Sequence, residues 1–253
     1  MNEDTTLARD LADQDATSAP PPWGFWATLG WAVLAFLIGA GVVGGAVIWV
    51  NWGGLDGIAD VQDDPWFALQ LIVINAVQIV VVAAAARSAH WPAAAYLGLD
   101  RPRLRDVLHG IAAVLLVLLV LEILTHLLGR ASVSPFQVDS YRAAGAAGTL
   151  PLLWFAFVVA APVGEEIVFR GFVFRGWAAS PLGVPGTIVL TSTIFAVAHT
   201  QYDWFGTFQT FCMGALFGWL RWRSGSTTVT IALHVLINFV ATLWTALKVA
   251  GAV

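Results

Sequence analysis

Between Gly164 and Gly171 the chain reads Gly-Glu-Glu-Ile-Val-Phe-Arg-Gly, two carboxylates and a guanidinium inside a run otherwise apolar enough to cross a membrane. A charge at a bilayer centre costs about 2.5–3.5 kcal/mol on insertion scales, so such a cluster points to function and needs named partners. Glu166 and Arg170 are spaced i, i+4 with the acid first, the favourable order for a helical ion pair. Glu165 lies about 100° round the helix from that face. The expectation is a division of labour in which Glu166 supports Arg170 and Glu165 does chemistry.

Three further polar residues fall in apolar runs: His199, four residues after Phe195, and His234 and Asn238, which share a helical face at i, i+4. At about 1.5 Å rise per residue, His199 and His234 fall roughly 6 Å to either side of the midplane, compatible with one cavity around Glu165. Glu, His, His and Asn without a Ser or Cys nucleophile suit water-mediated hydrolysis. Glu165 would act as general base, with His199 polarising the water. His234 and Asn238 would donate to the oxyanion. The same atoms allow a second use, a zinc ion held by Glu165, His199 and His234 with one open position. No His-Glu-x-x-His helix is present, and an amide is a better oxyanion donor than zinc ligand, so the metal-free arrangement is preferred.

These residues need helices to hold them. Hydrophobic residues make up 58% of the 253 and charged residues 11%. Several apolar runs reach the length of about 20 residues that spans the hydrocarbon layer, and none alternates as barrel strands do. The predicted fold is an all-α, polytopic transmembrane bundle of about seven spans. Residues 1–22 form an acidic, disordered tail, 23–149 the first helices, and 150–250 the catalytic core.

The predicted spans run from Trp26 to Val50, Trp66 to Ala86, Val107 to Leu128, Pro151 to Trp177, Thr187 to Tyr202, Phe205 to Trp222 and Thr228 to Val249. An eighth, re-entrant segment is allowed within Arg175 to Gly186. Gly41-x-x-x-Gly45 and Gly214-x-x-x-Gly218 predict close helix packing, and Asn75 and Gln78 predict hydrogen bonds across helices. Glu122 and His126 form a further i, i+4 pair in the third span, either a relay or a buried contact. The connector through Tyr96 and Leu97 is expected at the membrane surface. A Gly/Ala-rich loop is expected before Thr149.

With a cytoplasmic N-terminus, nine arginines fall inside against Arg130, Arg142 and Lys248 outside, as the positive-inside rule requires. Trp26, Trp49, Trp66, Trp177, Trp204 and Trp222 lie toward span ends, where the interface favours indole rings. The lone Cys212 excludes an intrachain disulfide. A net charge of −4 does not point to nucleic acid.

In their order and separation these residues resemble the three motifs of the CPBP intramembrane protease family, also called the CAAX-protease and bacteriocin-processing or Abi family. Glu-Glu-x-x-x-Arg matches Glu165, Glu166 and Arg170; Phe-x-x-x-His matches Phe195 and His199; His-x-x-x-Asn matches His234 and Asn238. The resemblance implies an endopeptidase cutting membrane-embedded or membrane-anchored substrates, with prenylated and bacteriocin-like ones among the kinds it allows, while the Ala/Gly/Trp-rich composition and the lack of organelle targeting lead us to expect a plasma membrane. It implies Glu165 as the water-activating base, assisted by His199, with His234 and Asn238 completing the site and Glu166 supporting it. Family members are described both as metalloproteases and as glutamate-dependent enzymes without metal. The rival class is a proton-coupled transporter, or a non-catalytic immunity or scaffold protein. A transporter calls for paired repeats with broken helices, and no internal repeat is visible. A serine protease would need a Gly-x-Ser-x-Gly turn and an aspartyl protease two Asp in spans; both are lacking.

Overall fold

The computed structural model describes Pro21, residues 23–50 and residues 66–252, with the side chains of 49 and 50 excepted. Pro21 apart, the acidic tail lies outside the described residues, as does the acidic loop from Asn51 to Pro65. Nine helices and no strand occur among the described residues: α1 (Phe25–Val50), α2 (Phe67–Ser88), α3 (Ala93–Tyr96), α4 (Leu104–Leu127), α5 (Pro135–Ala147), α6 (Leu150–Ala178), α7 (Gly183–Ala198), α8 (Trp204–Ser224) and α9 (Thr227–Val249). Each expected span corresponds to a helix, but only α1, α2, α4, α6 and α9 are long and apolar enough to cross a membrane. α7 is a shorter apolar helix of 16 residues. α8, with 21 residues, is the less apolar partner. The chain is a multi-pass membrane protein, and the segment from Arg175 to Gly186 holds a tight turn rather than a re-entrant helix.

α6 is the central post, touched by α1, α2, α7, α8 and α9. The outer faces of α1 and α4 expose Leu37, Leu115, Leu116, Leu119 and Val120, as a lipid-facing surface does. Inward, small residues admit close contact. Gly214 and Gly218 lie against Ser192 and Ile188 of α7, so the second small-residue stripe packs as expected. The first does not: among the described residues nothing lies within 4 Å of a Cβ at Gly41 or Gly45, and Gly39 packs on Ile74 instead. At Gly164 a Cβ would fall 2.1 Å from Oδ1 of Asn75, so α2 reaches the residue before the glutamate pair only because glycine is there.

α6 is wound unevenly. Wider π-helical turns occupy Ala156–Ala160 and Ile167–Val173, and a short α segment, Ala161–Glu166, lies between them and carries both glutamates. Wide turns of this kind are found mostly at functional sites. The sequence explains the first. The Ala161 N–H bonds five residues back to Ala156, and Pro162 has no N–H to give, so the carbonyl of Phe157 is left without a helical partner. At the end of the second, the Phe174 N–H bonds back to Phe169, skipping the carbonyl of Arg170.

Other local expectations need correction. Tyr96 and Leu97 are not at the surface but buried in the main core beside Phe172 and Trp177. Arg175 donates to the carbonyls of Ala95 and Tyr96 and lies over Trp91, fixing this short segment against α6. Trp177 is buried too, stacked on Phe25 with its indole N–H bonded to the Phe25 carbonyl. Asn75 donates within its own helix, to Leu71, rather than across helices. Glu122 and His126 are exposed and do not pair; Glu122 accepts from Ser132. The expected loop before Thr149 contains α5, opened by a reciprocal capping box between Ser134 and Gln137 with Pro135 in the first turn.

Candidate active site

α6 supplies Glu165, Glu166 and Arg170, α7 ends at His199, and α9 supplies His234 and Asn238. Glu166 and Arg170 are completely buried and joined at 3.0 Å, as their spacing predicts. Arg170 also donates to the Gly214 carbonyl at 3.1 Å and lies 4.7 Å over the ring of Phe195, which ties α6 to α7 and α8. Phe195 is thus a wall of the cationic pocket as well as a neighbour of His199. The carbonyl that Arg170 cannot place in the helical ladder is taken by Arg221 of α8, at 3.0 Å. Arg221 carries no motif, and no signal in the chain marked it.

The two imidazoles are oriented by their Nδ1 atoms. His199 is not inside α7 but caps it, and its Nδ1 is 2.7 Å from the Phe195 carbonyl. A carbonyl only accepts, so Nδ1 is the protonated nitrogen and Nε2 of the neutral ring carries a lone pair. His234 Nδ1 is 3.0 Å from Glu166 Oε1, the oxygen that also receives Arg170, and the same reasoning turns its Nε2 lone pair outward. Both Nε2 atoms face Glu165: His199 at 4.0 Å from Oε1 and His234 at 3.8 Å from Oε2. These gaps exceed a direct hydrogen bond, and a water donating to both atoms, with bonds of about 2.8 Å, fits them. Glu166 therefore does more than pair with Arg170, since it also fixes the tautomer of His234.

Asn238 donates its amide to the Phe157 carbonyl at 2.8 Å, the carbonyl orphaned by Pro162. The third motif thus holds the wide turn of α6 in place, and the second amide hydrogen of Asn238 is left for another acceptor. Neutral His234 offers no N–H toward Glu165, so oxyanion donation from it requires the protonated ring.

The group opens into a cavity of about 1030 Å³. Its walls include Phe36, Asn75, Gln78, Glu165, His199, His234 and Asn238, together with residues 130–137, 198–203, 205 and 206. Tyr202 stacks on the His199 ring at 5.9 Å. Burial, with the charge of Glu165 adding to it, pushes the Tyr202 phenol up to about 12, so it remains an O–H donor.

For a metal, the donor chemistry is suitable: two imidazole lone pairs, each with its other nitrogen anchored, and a carboxylate. The placement is not. Among the described residues no group of three or more His, Cys, Asp or Glu side chains is positioned to hold an ion.

Asp203 lines the same cavity. It caps α8 through the amides of Phe205 and Gly206, at 3.1 and 2.9 Å, and pairs with Arg130, whose guanidinium lies over Trp204. The Gly206 amide first, and then Arg130, hold its carboxyl below the usual 3.8. With the folded value below the unfolded one, its contribution is present above pH 3.8 and is lost as the pH falls through the folded value. Amide exchange at Phe205 and Gly206 is therefore expected to accelerate in acid in the wild type, and to be fast already above pH 3.8 in Asp203→Ala. Equal protection in the two proteins above that pH would remove Asp203 as the cap of α8.

A family model described as Rce1-like, type II CAAX prenyl endopeptidase Rce1-like, matches residues 147–240. The match lies in the C-terminal half of the chain and contains all three motifs, leaving α1 to α4 and all but the last residue of α5 outside it. That part of the chain is similar to a membrane-associated protease family. No curated protein and no solved structure matches the chain.

Proposed function

We propose that the protein is an intramembrane endopeptidase that hydrolyses a peptide bond of a membrane-embedded or membrane-anchored substrate with a Glu165-activated water. One observation carries the reading: two imidazoles with Nδ1 anchored turn their Nε2 lone pairs onto the two oxygens of a single, partly accessible carboxylate at the base of a cavity. A water donating one hydrogen to Glu165 and the other to His199 presents its oxygen to the scissile carbonyl. Glu165 takes the proton as the oxygen adds to carbon. Asn238 gives its free amide hydrogen to the oxyanion. His234 receives the proton from Glu165 and passes it to the leaving amine as the C–N bond breaks, so water ends as one oxygen of the new carboxyl and one hydrogen on the new amine. The protein works in a plasma membrane with its N-terminus on the cytoplasmic side.

The test is cleavage of a reporter membrane protein by purified protein in H2 18O, with the new C-terminus analysed by mass spectrometry. One labelled oxygen in the new carboxyl, formed equally with and without a strong chelator, is the expected result. A chelator-sensitive reaction restored by zinc replaces the metal-free step with a metal-assisted one. Cleavage without label, or none, sinks the hydrolase reading and leaves a transporter or scaffold role.

A further inference from the structure

Gln78 of α2 is only 3% exposed, yet it lines the cavity. Among the described residues its amide has no hydrogen-bond partner. Its amide atoms are not among the fully buried unpaired ones, so they reach the cavity, where water or a ligand can pair them. An amide without a protein partner, directed at a cavity, is therefore a group that a ligand can pair.

Its level in the fold is fixed by two contacts. Gly164 lies against Asn75, so Glu165 is level with the turn of α2 that holds Asn75. Gln78 is three residues further on, about 4.5 Å along the helix. An extended peptide advances about 3.4 Å per residue, so Gln78 is level with the residue next to the bond that Glu165 faces. Gly39 packs on Ile74, which brings Phe36 of the neighbouring α1 to the level of Gln78. From Phe36 an edge-on chain of rings runs through Phe169 and Phe195 to His199. Gln78 is thus the polar group at the inner end of an aromatic wall that starts at the catalytic histidine.

We propose that Gln78 is a substrate-binding residue that pairs with the backbone of an extended peptide beside the scissile bond, the amide N–H donating to a peptide carbonyl and the amide carbonyl accepting from the N–H of the same residue. This rests on the endopeptidase reading and extends it, since none of the three motifs contributes a group that grips the substrate main chain beyond the scissile carbonyl. His234 and Asn238 already spend a nitrogen each on Glu166 and Phe157. A carboxamide reads any sequence, while the aromatic wall selects for apolar side chains.

The test uses an internally quenched peptide chosen from a library for cleavage by the wild-type protein in detergent micelles. Gln78→Met keeps the length and volume of the side chain and removes both polar groups. It is expected to lower kcat/KM at least tenfold without lowering the melting temperature, because the amide has no protein partner to lose. A purely structural role predicts a lower melting temperature instead. Replacing single peptide N–H groups of the probe by ester oxygens then locates the contact: one position flanking the scissile bond is expected to slow the wild type about tenfold and leave Gln78→Met unaffected. Equal kcat/KM in the two proteins, or equal sensitivity to every ester, overturns the proposal alone. If Glu165→Gln cleaves the probe as the wild type does, or if the wild type cleaves no member of the library, the underlying hydrolase reading falls and this one with it.

Discussion

Glu165→Gln is expected to lower kcat by about 10²–10⁴, the range that a positioned general base supplies, without moving the melting temperature. The amide keeps the shape of the carboxylate but cannot take a proton from water. Its neighbours are arranged to need that proton acceptor, since the lone pairs of His199 and His234 both face it and can orient a water between them. Stability should be indifferent, because Glu165 is 22% exposed and the imidazoles that face it stand 3.8 and 4.0 Å away. The adjacent Glu166→Gln gives the contrast. That residue is wholly buried and accepts from both Arg170 and His234, so its loss lowers the melting temperature and the rate together. Measuring kcat and thermal unfolding for both variants separates the two acids. A Glu165→Gln protein that turns over at the wild-type rate would remove Glu165 from the chemistry.

Adjacent glutamates with such different surroundings were distinguishable from spacing alone, because an α-helix puts Glu166, but not Glu165, on the face of Arg170. The meeting of His199 and His234 around Glu165 was legible for a related reason: polar groups in apolar spans have few places to go. What spacing could not convey is winding. The role of Asn238 depends on a carbonyl released by a π turn, and an unchanged i, i+4 spacing gives no sign of it. Pro162, five residues after Phe157, is the only hint, and it becomes one when the register is known. α5 was hidden differently. Its Gly/Ala-rich sequence lacks an apolar stripe, although the Ser134-Pro135-Phe136-Gln137 start was written plainly in the chain. Gly41 and Gly45 show the converse error. Small residues let helices approach only where a partner exists, and that face of α1 has none among the described residues. Gln78 was read as interhelical glue by residue type, whereas its lack of any partner is a property of the assembled bundle.

The largest effect on stability is expected at Arg170. Arg170→Met leaves the carboxylate of Glu166 in a site with no solvent exposure, beside the Nδ1 of His234 and the Thr230 side chain but without a cation, and removes the donor to the Gly214 carbonyl. Removing one partner of a buried ion pair costs about 3–5 kcal/mol, because the other charge stays buried without compensation. The comparison that isolates this cause is the double variant Glu166→Leu/Arg170→Met. Apolar replacement of a whole buried pair is often neutral or stabilising, so the second substitution should recover stability that the first one lost. It should not recover activity, since His234 then has no carboxylate to fix its tautomer and its Nε2 no longer faces Glu165 as an obligatory lone pair. Thermal unfolding in detergent, read beside cleavage, decides the point. A double variant no more stable than Arg170→Met would mean that the cost comes from lost packing against Phe195 and Phe217, not from the orphaned charge. A double variant that is both stable and active would show that the Glu166–Arg170 pair is dispensable to catalysis, and would leave the anchoring of His199 by the Phe195 carbonyl to orient the water.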